Sequence, residues 1–196
     1  MSDIFSKYKF ILASGSPRRI ELIRLLGIEP FVKPSSLEEN APKDDPEKMV
    51  KLLSSQKALD IAKDFHDGEI VIGFDTCVWI NGEILGKPKT HEEAYDMVKK
   101  LSGNTHHVYT GVSIVSCGSK PGFKDFAEET RVNVRDIPDE EIKTYSDSKE
   151  PMDKAGAYGI QGIFSRYIEG IEGDFYNVMG LPVSRLYYEL KSFIGE

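Results

Sequence analysis

Residues Phe10 to Gly27 read FILASGSPRRIELIRLLG. The apolar run in KFILAS predicts a buried strand, and the Ser-Gly-Ser that follows predicts a turn into a helix. Ser16 suits the N-cap, and Pro17 the first helical position, where its missing N–H costs nothing. Leu22, Ile23, Leu25 and Leu26 supply an apolar face and Gly27 a stop. Arg18 and Arg19 then stand in the first turn, where the positive end of the helix dipole repels them. A strand, a small-residue turn and a helix start also make an anion site, because free backbone N–H groups point outward there. Two guanidinium forks, which hold oxygens in pairs, suit that site to a polyphosphate. Two solvated surface arginines, one reaching Glu21 or Glu38, are the alternative. The loop is neither GxxxxGK[ST] nor GxGxxG, so the P-loop and dinucleotide signatures are both absent.

The rest of the chain extends this α/β pattern. Asp45-Pro46 predicts a capped helix running to about Phe65. EIVIGFDTCVWINGEIL has β-branched runs on either side of Asn81-Gly82, the pair favoured in a type I′ hairpin turn. Thr90 and Glu93 form a capping box for a third helix ended by Gly103. HHVYTGVSIVS and DFAEETRVNV read as strands joined by a Gly/Pro turn, and IPDEEIKTYSD as a short helix. YIEGIEGDFYNVMGLP reads as a second hairpin, and Pro182 opens a terminal helix. The fold class expected from this pattern is α/β in a single continuous domain, 1–196.

Composition excludes several functions. The 196 residues are 40% hydrophobic with a net charge of -7, which argues against nucleic-acid binding, since that needs basic surface to displace counterions. No apolar run approaches the ~20 residues of a membrane span, and MSDIFSKYKF lacks a secretory apolar core. Cys77 and Cys117 stand alone, without metal-type spacing. The expectation is a cytoplasmic protein with no membrane partner.

Chemistry enters with Asp75. It interrupts the apolar run VIGFDTCVWI, where a bare carboxylate carries a heavy desolvation cost. It must be paired, bound to a metal or exposed at a strand end, and it suits a general base or a hard-metal ligand. A structural Asp capping a turn is the alternative. Val50, Leu53, Lys57 and Ile61 share one helical stripe, so Lys57 borders the inward face, with snorkelling to the surface as its competing explanation. Lys87 follows the hairpin in LGKPKT, where a solvated turn lysine is the bland reading. His106 and His107 sit in a strand and point to opposite faces, which favours structural roles. Four cations around one or two carboxylates equip a protein for metal-assisted phosphoryl transfer.

The order LASGSPRR, QKA, GFDTCV…NGEILGKP, LSGNTHHVYTGV, KAGAYGIQG and NVMGLP resembles the Maf family of nucleoside triphosphate pyrophosphatases over essentially the whole chain. The resemblance implies a mixed, strongly twisted β-sheet flanked by helices, with two lobes and a central cleft. It also implies hydrolysis of a nucleoside triphosphate to the monophosphate and pyrophosphate, a divalent metal (Mg2+, Mn2+ or Co2+) and a homodimer. It implies that Asp75 is the catalytic acidic residue and a metal ligand together with Glu39. Ser14, Ser16, Arg18, Arg19, Lys57 and Lys87 are the implied substrate-binding residues. Arg18, Thr76 and Gln161 match positions associated with base specificity and fall on the side of the dTTP/UTP subfamily. The related 7-methyl-GTP subfamily has a non-arginine after the proline, Gln in place of Thr76 and Glu in place of Gln161. Phe74 and Trp79 replace smaller residues often seen in that strand. Two other classes compete: a nucleotide-responsive regulatory protein of cell division with slow hydrolysis, and a nucleotidyl- or phosphotransferase acting on a second substrate.

Overall fold

The computed structural model describes residues 4–119 and 121–196. In chain order it contains β1 (Phe10–Leu12), α1 (Pro17–Arg24), β2 (Phe31–Val32), α2 (Pro46–Ala62), β3 (Ile70–Ile80), β4 (Glu83–Leu85) and α3 (His91–Leu101). There follow β5 (Thr105–Ser116), β6 (Gly122–Val134), α4 (Asp139–Ser146), β7 (Ile168–Glu172), α5 (Phe175–Val178) and α6 (Val183–Ile194), with short 3-10 turns between α4 and β7. The strands form a mixed sheet in the order β2-β1-β3-β5-β6-β7, with β4 paired to β3. β1 runs parallel to β2 and β3, whereas β3/β4 and β6/β7 are antiparallel. The α/β expectation holds.

The chain divides into two units. One comprises the chain up to Asp75, Thr110–Glu128 and Gly180–Glu196, and the other Thr76–Tyr109 and Glu129–Met179. β3, β5 and β6 each run from one unit into the other.

In the first unit α2 lies directly on the sheet. Its Ala58 and Ile61 join Ile11, Ala13, Val71 and Val115 in one apolar cluster. Two glycines make the approach possible. A Cβ on Gly73 of β3 would stand 2.3 Å from the Ser54 carbonyl oxygen, and one on Gly111 of β5 2.2 Å from that of Val50. Ser54 and Ser113 close the contact with a hydroxyl–hydroxyl bond of 2.9 Å. Asp45 caps α2 as expected, its Oδ1 accepting from the Lys48 N–H at 3.1 Å. The helix ends at Ala62, three residues earlier than anticipated, in turns whose Asp64 and Phe65 N–H groups bond back to Ile61 and Ala62. Ser16 takes the N-cap position of α1, but its hydroxyl makes no capping bond.

In the second unit the β3–β4 hairpin turns through Asn81 (φ 51°) and Gly82 (φ 82°), both left-handed, as a type I′ turn requires. Thr90 Oγ1 caps α3 by accepting from Glu93 N–H at 3.1 Å, while the Glu93 carboxylate bonds Lys89 N–H rather than that of the cap. One core gathers Val78, Ala94, Val98, Leu101, Ile142 and Phe164.

One local expectation fails, and one strand was not anticipated. YIEGIEGDFYNVMGLP is not a hairpin: β7 pairs with β6, and the chain then leaves the sheet at Gly173 (φ 125°). Asp174 caps the single turn of α5, its Oδ1 accepting from Tyr176 N–H at 2.7 Å. An aspartate after a left-handed glycine is a better helix start than a strand residue. The two-residue β2, flanked by Pro30 and Pro34, gave no periodic signal.

Candidate active site

Asp75 is buried, with only 7% of its surface exposed. In a strand, side chains two residues apart share a face, so Asp75 points the same way as Gly73, toward α2. Because α2 rests on Gly73, the Lys57 side chain reaches it: Nζ lies 2.6 Å from Asp75 Oδ1. The same ammonium is 2.7 Å from Glu39 Oε1, on the loop before α2. Lys57 is 17% exposed, so the inward reading of its helical stripe prevails over snorkelling. Burial pushes the Asp75 carboxyl above the usual carboxylate range, and Lys57 and Arg19 pull against it.

Arg19 is built into the same unit. Its Nε donates to the Gly180 carbonyl at 2.9 Å and its Nη1 to Ser14 Oγ at 3.1 Å. Nη1 also comes within 3.5 Å of the Phe74 carbonyl, and the guanidinium carbon lies 5.5 Å from the Phe74 ring centre. Burial lowers its pKa to about 10 against the opposing pull of Asp75, so it stays a cation at neutral pH. Ser14 is buried, and its Oγ also accepts weakly from Ser16 N–H at 3.4 Å. Arg18 and Ser16 are half-buried in the same turn. This turn is therefore tied to the middle of β3 through Arg19 and Phe74. The contacts Arg19–Ser14 and Asp75–Lys57–Glu39 bring five of the expected residues into one charged group.

Thr76 follows Asp75 on the opposite face of β3 and is half-buried. Lys87 and Gln161 belong to the second unit and are exposed on loops. Gln161 precedes Gly162 (φ 95°), in a turn fixed by Glu150, whose carboxylate accepts from Ile163 N–H at 3.1 Å and Phe164 N–H at 3.4 Å. Neither the Gly180 carbonyl nor Glu150 was among the expected residues. The first is a backbone acceptor 161 residues from its donor, and the second carries no motif. The histidines divide as expected: His106 is fully buried with Nε2 2.6 Å from Tyr158 Oη, and His107 faces Glu129 at 2.7 Å.

Among the described residues no group of three or more His, Cys, Asp or Glu side chains could hold a metal ion. Asp75 and Glu39 nonetheless converge on one point, the Lys57 ammonium. Two carboxylates are a poor resident site but suit a magnesium-like ion whose remaining ligands are water and substrate phosphate.

A charged group of this kind on an α/β scaffold can be compared with known proteins. A solved HAM1 protein from Coxiella burnetii superposes with a TM-score of 0.51 at 14% identity, covering 96% of this chain and 98% of its own, which speaks for the fold alone. A protein of Lachnoclostridium phytofermentans named dTTP/UTP pyrophosphatase is 47% identical over 188 residues, 95% of each chain. One of Bacillus cereus with the same name is 48% identical over 186 residues, 94% of this chain and 95% of its own. A Clostridium perfringens protein, again of that name, is 44% identical over 187 residues, 94% and 97% of the two chains. The family model described as Maf-like protein matches residues 9–193, a span that includes every residue of the charged group. This chain therefore belongs to the Maf-like family.

Proposed function

We propose that the protein hydrolyses nucleoside triphosphates, dTTP and UTP foremost, to the monophosphate and pyrophosphate. The observation that carries this reading is the buried Asp75, held by Lys57 beside Arg19, in a chain 44–48% identical to proteins named dTTP/UTP pyrophosphatase. Water attacks the α-phosphorus in line with the departing oxygen; the new P–O bond forms as the α–β phosphoanhydride breaks and pyrophosphate leaves. Asp75 accepts the water's proton. Its Oδ1 is engaged by Lys57, which leaves Oδ2 for that transfer. A carboxyl lifted above its ordinary value is a better base near neutral pH than a fully solvated one. Arg19, Arg18, Lys57 and Lys87 neutralise charge on the phosphate oxygens. Ser14 and Ser16 belong to the turn that receives them. Thr76 and Gln161 meet the base with Arg18, the Gln161 amide offering both a donor and an acceptor to a pyrimidine edge. A divalent cation (Mg2+, Mn2+ or Co2+) entering with the triphosphate would be held by Asp75 and Glu39 and would supply a lowered pKa for water and charge neutralisation at phosphate.

The protein is further read as a homodimer, supported by the family resemblance alone, and as cytoplasmic, supported by its composition; light scattering of the purified protein checks the oligomeric state. No helix among the described residues is long and apolar enough to cross a membrane.

The test is a triphosphate panel with product analysis on wild type and Asp75→Asn. Wild type releases pyrophosphate and monophosphate from dTTP and UTP. The acid limb of its kcat/KM profile lies above the usual carboxylate range, because that limb reports the free enzyme's base. Asp75→Asn loses roughly 10²-fold or more in turnover while retaining nucleotide binding. Full turnover in that variant removes Asp75 from the role of base. Tight binding with no turnover under any of the three metals would replace the hydrolase with the regulatory reading, and a modified acceptor among the products would replace it with a transferase.

A further inference from the structure

The Lys57 ammonium lies 2.6 Å from one carboxylate oxygen and 2.7 Å from another, on Asp75 and Glu39. Those side chains come from a sheet strand and from an exposed loop, and Lys57 is the group on which both converge. Without a cation between them, two neighbouring carboxylates repel, and the buried one has the larger desolvation cost. Lys57 relieves both problems. It thereby occupies one oxygen of each carboxylate, Asp75 Oδ1 and Glu39 Oε1, and the position between them where a divalent ion bridging the pair would sit. A single-charged ammonium and a divalent cation cannot share the position without strong like-charge repulsion. A triphosphate, by contrast, offers the ammonium new oxygens.

We infer that Lys57 holds the place of the divalent cation between Asp75 and Glu39 and gives it up when a triphosphate arrives, making metal binding dependent on nucleotide. The inference rests on the hydrolase reading only in its choice of nucleotide. Three consequences follow. The free protein takes up metal poorly. The nucleotide draws Lys57 onto its phosphates and vacates the two carboxylates. By reciprocity, the metal strengthens nucleotide binding by the same factor that nucleotide strengthens metal binding. Lys57 is in this sense a coupling residue as well as a phosphate ligand.

The experiment titrates Mn2+ into the nucleotide-free protein, reading free Mn2+ by electron paramagnetic resonance, with folding checked by thermal melting. Wild type binds Mn2+ weakly, and a non-hydrolysable dUTP analogue tightens that binding about tenfold or more beyond the analogue's own affinity for the ion. Lys57→Met tightens Mn2+ binding to the free protein by about tenfold or more, and the gain disappears in Lys57→Met combined with Asp75→Asn. Lys57→Arg keeps the positive charge and so keeps the weak binding. Should the methionine variant fail to fold, Lys57→Gln removes the charge, keeps a hydrogen-bond donor and gives the same reading. Unchanged or weaker Mn2+ binding in a folded, neutral Lys57 variant overturns the inference, as does tightening that survives Asp75→Asn. Pyrophosphate release from dTTP and UTP is measured on the wild-type preparation alone, because Lys57 and Asp75 belong to the proposed catalytic machinery. Release without Mn2+ tightening overturns the coupling alone, while tightening without release overturns the hydrolase reading and leaves the coupling in place.

Discussion

The two adjacent arginines of the PRR turn have different environments, and their substitution should separate them. Arg19 has Nε and Nη1 bonded within its own unit, to Gly180 and Ser14, and its guanidinium sits by the Phe74 ring. It is a fixed cation beside Asp75. A lysine there keeps the charge but cannot reproduce the fork, so the swap is not conservative. Arg19→Lys should lower kcat/KM by roughly tenfold to a hundredfold and cost about 1–2 kcal/mol of stability for the lost hydrogen bonds, with the order of preference among triphosphates unchanged. Arg18 is only half-buried in the same turn. Its truncation to alanine should alter the dTTP-to-purine preference as well as the rate. Steady-state kinetics over the triphosphate panel and a denaturant titration decide the matter; a common loss with one shared preference removes the distinction. The puzzle of like charges at the positive helix end is eased in the same way. Arg19 turns back into the protein, where carbonyl and hydroxyl oxygens receive it.

At the scale of elements, the placement of α2 controls both packing and chemistry. The helix can bring Lys57 to Asp75 because glycines lie beneath it at two points along its length. Gly73→Ala would put a methyl 2.3 Å from the Ser54 carbonyl oxygen and 2.8 Å from the Ala58 nitrogen, both backbone atoms. Gly111→Ala would meet the Val50 carbonyl oxygen at 2.2 Å. Backbone cannot step aside as a side-chain tip can, so α2 must lift, and each variant should lose about 3 kcal/mol by overpacking. The two differ in function. Ser54 and Ala58 flank Lys57 on the helix, whereas Val50 lies two turns earlier. Under conditions where both variants are folded, Gly73→Ala should lose turnover several-fold more than Gly111→Ala. Chemical denaturation midpoints and single-temperature kcat values test this, and equal kcat values for the two would sink the link between helix seating and the Lys57–Asp75 pair.

Across the whole molecule, what the sequence revealed was what local rules encode. The caps at Asp45 and Thr90, the Asn81-Gly82 turn and the helical stripe of Lys57 depend on neighbours within a few residues, and they were readable. The Asp75–Lys57 pairing was half-legible: the stripe gave direction to Lys57, and the apolar strand demanded a partner for Asp75. The pairing of β7 with β6, the Gly180 clamp on Arg19 and the Glu150 brace under the Gln161 turn depend on residues brought together from far apart, and no period or motif announces them. His106 illustrates the same limit. Strand alternation set His106 and His107 on opposite faces but did not say which of them is buried. Fully buried against Tyr158, His106 is pushed down from 6.5 to about 3, chiefly by burial and secondarily by His107. The folded state therefore keeps His106 neutral where the unfolded chain protonates it. Between those two values the unfolded state binds the extra proton, so stability rises with pH. It is fully present above 6.5 and falls as pH drops toward 3, at up to about 1.4 kcal/mol per pH unit. Carboxylates at or below their ordinary values act lower on the scale, and the raised Asp75 adds an opposing slope common to both proteins, so the difference between wild type and a His106 variant across pH 6.5 to 5 reports His106. His106→Phe sacrifices the Tyr158 hydrogen bond and should be less stable at neutral pH. Its denaturation midpoint should nevertheless flatten across that window while the wild-type midpoint declines, and equal slopes would mean that His106 is protonated in the folded protein.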